Sequence, residues 1–545
     1  MSIVLGRPGG PEPDAGATER ALGAPDDRAA RAVSVDDPWA ERSATEADRP
    51  DLRPVALLGL AAMCSVVVGA VLGGSAFASA LPGAWFFGTP GGPLGSVSNS
   101  QRHAPILAVF LVYGGLVVAV RAWIGLWRQL RAHPGVPVRR VVGIIALWIL
   151  PLAIAPPLFS RDVFSYAGQG ELVSHHIDPY TYGTGVLGAT PFSLLPGPLW
   201  ANTPSPYGPV FLAADGAATS LAHHGVLPDL ILLRLFELGG LALVLGALPT
   251  LARSAGRDPA EVLALGAACP LVLTTFVGGA HNDALMVGLL VAGLAVAKRF
   301  GPIPGIVLCA LAAGVKAPAI LGVLFLGWNW VATTSFWSRV RWTALAGAIA
   351  AATLAVASVV SGLGFGWLTT LSAPDKSFTG VTPVDALSHV IVWVAALAHL
   401  SLALPSVSAA AGLVGLACAA VVGSWLLVRS PETGAIRALG LALLVLALLG
   451  PILWAWYLTW GFVVLAAVAV GRLQRVVIGL AIVETFLGVS SLKGMAETLW
   501  ASGFLLDLLL VVGIVAVVVV PLAPRAAASR RLWRVRGGQA EITAS

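Results

Sequence analysis

Residues 138–170 read VRRVVGIIALWILPLAIAPPLFSRDVFSYAGQG. Arg139 and Arg140 precede an almost unbroken apolar run to about residue 159, and the run ends on two adjacent opposite charges, Arg161 and Asp162. Crossing the hydrocarbon core takes about 20 apolar residues at 1.5 Å each, and basic residues collect on the cytoplasmic side of such segments. The stretch therefore predicts a membrane-crossing helix that begins inside, beside the arginines, and delivers an Arg–Asp pair to the outer face.

The same pattern recurs on either side. Apolar runs lie near 54–81, 104–126, 229–250, 342–361, 407–428 and 503–523, with shorter ones near 261–279, 282–297, 302–315, 317–334, 436–453, 456–470 and 474–490. The fold class expected is an all-α polytopic membrane protein of about 14 transmembrane helices. Composition agrees, because 57% of the 545 residues are hydrophobic and 11% are charged, against roughly 25% charged in soluble domains. Residues 1–53 hold 18 of the 60 charged residues at a net charge of −4 and read as a disordered cytoplasmic tail. The Arg-rich 524–545 reads as a second cytoplasmic tail, leaving 54–523 as the membrane domain. The first apolar run begins too late and is too long for a cleaved signal peptide, so a multi-pass plasma-membrane protein with an internal N-terminus is expected.

Between residues 54 and 523, fifteen of 21 Lys and Arg fall in loops assigned inside and four outside (Arg102, Arg161, Lys376, Lys493), with Arg234 and Lys316 at membrane depth. This bias holds only if the apolar stretches 207–222 and 386–403 lie along or dip into the outer face, as interfacial helices. Loops 160–228 and 362–406 are then external, and they carry much of the His, Asp, Trp and Tyr suited to chemistry. The net charge of +6 thus serves orientation in the bilayer, and no nucleic-acid partner is expected. Cys64, Cys269, Cys309 and Cys418 sit in apolar runs without metal or redox spacing and read as core thiols.

Asp162 at a membrane boundary suits a general base tuned by partial burial and a cationic neighbour, and equally suits a simple helix end anchored by Arg161. Glu171, His175, His176 and Asp178 follow, with no HExxH or comparable spacing, so neither a metal nor a cofactor is expected. The segments RDVFSYAGQG from Arg161, HxxDPYTYG from His175, LWANTPSPYGPVF from Leu199 and GGAHNDALMVGLLVAG from Gly278 resemble the polyprenyl-phosphate-mannose-dependent α-1,6-mannosyltransferases of mycobacteria and corynebacteria. VKAPA at Val315, KSFTG at Lys376 and WAWYLTW at Trp454 are similar to that family too. The resemblance covers roughly residues 54–523. It implies a GT-C fold, a polyprenyl-phosphate-mannose donor, a growing α-1,6-mannan lipoglycan acceptor, inversion at the anomeric carbon on the outer face, and Asp162 as the catalytic base.

Such a transfer needs a carboxylate for the acceptor hydroxyl proton and cations for the departing lipid phosphate. DxD, the usual metal-binding pair of soluble glycosyltransferases, is absent. Arg161, His281, Asn282, Asp283, Lys316 and Lys376 are the expected contacts for donor phosphate and sugar, and Tyr166, His176, Asp178, Tyr180, Trp200 and Tyr207 those for the acceptor. Asp283 is the alternative base. Lys316 either meets phosphate or pairs with a side chain such as Asp283, and Arg234 is expected to pair with Glu237 one turn on. The Trp454–Trp460 cluster reads at least as well as an interfacial belt. A transporter is disfavoured by the lack of an internal repeat, whereas a related transferase using another polyprenyl-phosphate sugar, such as arabinose, stays open.

Overall fold

A computed structural model describes residues 50–72, 105–332, 335–370 and 383–489, and the regular elements among them are helical. All belong to one compact unit. Residues 1–49 of the expected 1–53 tail, the 503–523 span, Lys376, Lys493, Arg102 and the C-terminal tail lie outside the described residues.

The first three helices are α1 (Arg53–Leu72), α2 (Pro105–Ala132) and α3 (Val138–Ile154). Helix α3 stops five residues short of the expected end, because Pro156 and Pro157 remove backbone donors and push the preceding residue out of helical conformation. The connection to the fourth long helix carries α4 (Asp162–Ser174), three short turns and α5 (Pro209–Leu221). At about 1.5 Å per residue, the 13-residue α5 is about 20 Å long, too short to cross. Helix α6 (Val226–Ser254) follows, then the bent pair α7 (Pro259–Gly266) and α8 (Pro270–Gly278), which meet at 55°.

Next come α9 (Asp283–Phe300), α10 (Pro302–Val315) and α11 (Ile320–Trp328). The second half contains α12 (Phe336–Val360), α13 (Pro383–Leu397), α14 (Leu404–Thr433), α15 (Ala435–Leu449), α16 (Leu458–Ala466) and α17 (Gly471–Leu487). Five described helices are long and apolar enough to cross a membrane, six if α7 and α8 form one broken span. The other described helices expected to cross lie near the expected places but are 17 residues or fewer, or in the 18-residue α9 carry three charges, so among the described residues the count of about 14 is not reached by length and composition.

Large apolar side chains such as Leu57, Phe110, Val356, Leu413 and Trp425 point outward. In water each would be costly; against lipid tails they match their solvent, so helix association rests instead on close packing of small residues. Helices α6 and α9 show this. A Cβ on Gly240 would stand 2.3 Å from the Ala284 carbonyl carbon, and one on Gly288 would stand 2.3 Å from the Gly240 oxygen. That approach holds the start of α9, with Asp283, against the buried face of α6. Two of the expected core thiols, Cys269 and Cys309, are buried, whereas Cys64 and Cys418 lie on the helix surface.

Candidate active site

Two loops that end adjacent helical layers meet where the Leu158 N–H donates to the Gly278 carbonyl at 2.8 Å. Each carries a non-glycine residue in left-handed conformation, Phe159 (φ 65°) and Ala280 (φ 51°). Such backbone persists only where the surroundings over-determine it, and it concentrates at functional sites. Asp162 lies three residues after the first and opens α4, with the Ser160 hydroxyl accepting its N–H at 3.1 Å. The positive end of the helix dipole favours its anion there.

The second loop leaves α8 through a π-helical turn, Leu273–Gly278, a form that frequently marks functional positions. His281 follows, with Nδ1 bonded to the Thr275 carbonyl at 2.8 Å. A carbonyl only accepts, so Nδ1 carries the proton, and in the neutral ring Nε2 is left as the acceptor. That nitrogen stands 3.8 Å from Asp162 Oδ2, a gap into which a hydroxyl could donate and accept. The imidazole stacks on Trp456 at 3.8 Å, and Trp456 stacks in turn on Trp454 at 4.9 Å. Asn282 is fully buried, yet among the described residues neither polar atom of its amide meets a partner.

Asp283 lies one step deeper and is fully buried. Lys316 Nζ sits 2.9 and 3.1 Å from its two oxygens, and the Trp460 indole N–H also donates to Oδ1. The ammonium packs over the Tyr457 ring at 4.5 Å, with Trp460 at 5.6 Å and Tyr207 at 5.9 Å. Lys316 reaches this position because it interrupts the helices: its backbone is extended (φ −150°, ψ 127°) between α10 and the turn Ala317–Ala319. The loop before α5 covers it. Gly208 lies so close to α10 that a Cβ would meet the Gly314 oxygen at 2.3 Å, and that approach sets Tyr207 above the ammonium. Beside it opens an apolar cavity of about 160 Å³, lined by Pro206, Gly208, Ala313, Ala317, Leu354 and Trp367 among others.

The site thus joins a carboxylate at a helix start, a second carboxylate clamped by lysine, unsatisfied polar atoms and stacked indoles among apolar helices. Comparison with known proteins gives it a family. Residues 56–332 match the family described as alpha-(1→6)-mannopyranosyltransferase, N-terminal domain, and residues 384–523 match the MptB C-terminal domain. The chain belongs to the alpha-(1→6)-mannopyranosyltransferase family. It is 33% identical over 384 residues to alpha-(1→6)-mannopyranosyltransferase A of Mycobacterium tuberculosis, covering 68% of this chain and 73% of the relative. It is also 33% identical over 405 residues to a probable alpha-(1→6)-mannopyranosyltransferase of Mycolicibacterium smegmatis, covering 68% and 72%. To alpha-(1→6)-mannopyranosyltransferase B of Corynebacterium glutamicum it is 27% identical over 416 residues, covering 69% and 67%. No solved structure matches.

In this family member the expected site residues divide. Asp162, His281, Asn282, Asp283, Lys316 and Tyr207 converge. Tyr166 is fully buried, edge-on to Tyr207 and Phe211, and supports the site from below. Tyr180 is buried against Gly366. Asp178 accepts from the Tyr180 N–H and the Thr181 hydroxyl and so closes a turn. His176 is exposed and left-handed (φ 56°) just past α4. Trp200 is half-buried on the short turn Pro198–Ala201, and the Arg161 guanidinium packs against Gly197. Arg234, expected beside Glu237, directs Nη1 to the carbonyls of Leu152, Ala153 and Ala155 at the end of α3.

Trp456, Tyr457 and Trp460 line the site instead of forming only an interfacial belt. Their partners His281, Lys316 and Asp283 lie far away in the chain, 177 residues in the case of Trp460 and Asp283. The repeated aromatics of WAWYLTW were the available signal.

Proposed function

We propose that the protein transfers mannose from polyprenyl-phosphate-mannose to a growing α-1,6-mannan acceptor at the external face of the plasma membrane, with inversion, on a GT-C scaffold. The acceptor hydroxyl oxygen attacks the anomeric carbon while the bond from that carbon to the phosphate oxygen breaks. The bonding electrons leave with the polyprenyl phosphate, and the hydroxyl proton passes to Asp162. Asn282 and His281 Nε2 would receive sugar hydroxyls. The ammonium of Lys316 and the guanidinium of Arg161 would face the phosphate, and the apolar cavity beside Lys316 suits the first isoprene units of the carrier.

The observation that carries this reading is the placement of Asp162 at a helix start 3.8 Å from His281, next to an Asp283 held by fixed groups. Asp283 has its oxygens committed to Lys316 and the Trp460 indole, so taking a proton there would disrupt a buried ion pair. Asp162 stands at a helix start with a 10% exposed side chain, beside His281, and is the carboxylate an incoming hydroxyl can reach.

The test is single-turnover transfer from labelled polyprenyl-phosphate-mannose to a short α-mannoside. Asp162→Asn keeps the shape and removes proton acceptance, so the rate is expected to fall by roughly 10²–10⁴-fold, the usual contribution of general base catalysis, while donor binding is retained. A near-normal rate would take Asp162 out of the mechanism. Labelled polyprenyl-phosphate-arabinose offered in parallel reports the sugar choice, and turnover of a nucleotide sugar without lipid carrier would refute the donor assignment. For the sidedness, a cysteine at exposed Val186, in a chain with Cys64 and Cys418 replaced, should react with an impermeant maleimide from outside intact cells; labelling only after the membrane is opened would invert the topology.

A further inference from the structure

We propose that Glu171, His175 and His224 bind a zinc-class divalent cation that braces the helix carrying Asp162. Glu171 and His175 stand four residues apart at the end of α4, and His224 comes from the turn between α5 and α6. The His175 Nε2 lies 3.0 Å from one oxygen of the Glu171 carboxylate, and the His224 Nδ1 lies 2.7 Å from the other. One donor atom from each residue falls within 4.8 Å of the other two, and the imidazoles stack with centroids 5.2 Å apart. Two imidazole nitrogens and a carboxylate oxygen are a borderline-metal donor set, with water as the natural fourth ligand.

Bonds of about 2.0–2.1 Å in tetrahedral geometry set ligand atoms about 3.3 Å apart, so the two hydrogen-bonded pairs would open slightly and the widest pair, now within 4.8 Å, would close. Glu171 is buried while both imidazoles are about half exposed, so the site has a wall on one side and an entrance on the other.

The backbone is shaped to the same end. His223 and His224 are consecutive left-handed residues (φ 50° and 59°), an unfavourable conformation for non-glycine residues that turns the chain back toward α4. Gly170 permits the approach, since a Cβ there would meet Thr219 Oγ1 at 2.3 Å and the Asp215 oxygen at 2.7 Å. Asp178 is unsuited as a ligand because its two oxygens are committed to the turn it closes. Asp162 begins the helix on which Glu171 sits nine residues later, about 13 Å along the axis. A cation at the far end would therefore hold the helix in position without touching the reacting atoms.

The test uses the full chain in detergent, without a polyhistidine tag, stripped with a chelator and titrated with Co²⁺. One Co²⁺ per chain is expected, with the visible bands of a four-coordinate centre that Zn²⁺ displaces. His224→Asn, a residue that tolerates left-handed backbone, and His175→Asn should each weaken binding by about 100-fold or more, while His133→Asn should leave it unchanged. Zn²⁺ should raise the thermal midpoint of the wild type and not of the two ligand variants. Both ligand positions are solvent-facing, and elution of each variant at the wild-type volume verifies folding. Absence of Co²⁺ binding to the stripped wild type, or equal binding to it and to both ligand variants, would overturn the site and leave Glu171 as a hydrogen-bond partner of two histidines.

Discussion

Asp162 and Asp283 are both carboxylates at the first position of a helix, and both were candidate bases, but their surroundings separate them. Around Asp283 the protein supplies an ammonium and an indole N–H, so the negative charge is balanced by fixed groups before substrate arrives. Around Asp162 it supplies a helix N-terminus and an imidazole at 3.8 Å, a spacing that leaves room for one more polar atom. The difference teaches that helix position sets where a carboxylate stands, while the contacts brought from distant segments decide whether it can accept a proton. On the proposed mechanism the Asp283 pocket serves as scaffold and the Asp162 pocket as reaction site.

The sharpest way to break this comparison is to exchange the losses. Asp162→Asn should remove roughly 10²–10⁴ of rate and leave thermal unfolding unchanged. Lys316→Met should do the reverse first: with the Asp283 charge left buried and unpaired, a stability loss of about 3–5 kcal/mol is expected, read as unfolding in detergent. Adding Asp283→Leu to Lys316→Met should recover much of that stability without recovering transfer. If Asp283→Asn alone retained the fold and lost the rate while Asp162→Asn did not, the two roles would be swapped.

A smaller effect sharpens the comparison at its shared wall. Trp456→Ala removes the stacked face behind His281, worth about 0.5–1.5 kcal/mol. Transfer should therefore fall by about 10-fold or less, with donor affinity measured separately to divide binding from rate. The smallest change is expected at a third carboxylate, Asp215 on α5. Burial first, and then the nearby Asp229 and Glu237, push its carboxyl well above the usual carboxylate range. That shift favours the neutral acid, for which Asp215→Asn is an exchange of similar shape without loss of a charge. The thermal midpoint should shift by an amount equivalent to less than about 1 kcal/mol, whereas a loss comparable to that of Lys316→Met would show that Asp215 is ionised in the native state.

Much of this site could be read before any coordinates. RDVFSYAGQG and HND stand out by resemblance to the mannosyltransferase family, and the isolated Lys316 because a charged group inside a long apolar run is expensive and needs a local reason. The short α5 was anticipated by charge counting alone. Other features were hidden: Asp178 is expected at the site because it lies in the family-like HxxDPYTYG segment, and only its bonds to Tyr180 and Thr181 reveal the turn it closes. The Glu171, His175 and His224 cluster was invisible because His224 lies 53 residues beyond Glu171, with no fixed spacing to join them.

By itself the sequence determined the solvent and the order of elements. Apolar runs of a given length, interrupted by proline and flanked by arginine, answer to lipid thickness and surface charge, and both act locally along the chain. Tertiary structure alone decided which polar groups meet. The Asp283–Lys316–Trp460 clamp, the His281–Asp162 gap and the indoles behind it join segments from four parts of the chain, and their distances depend on how closely glycine contacts such as Gly240–Gly288 and Gly208–Gly314 let the helices and loops approach. A pattern read along one strand of text carries propensity and polarity, whereas the clamping of Asp283 and the spacing of Asp162 from His281 depend on ångström separations across the bundle.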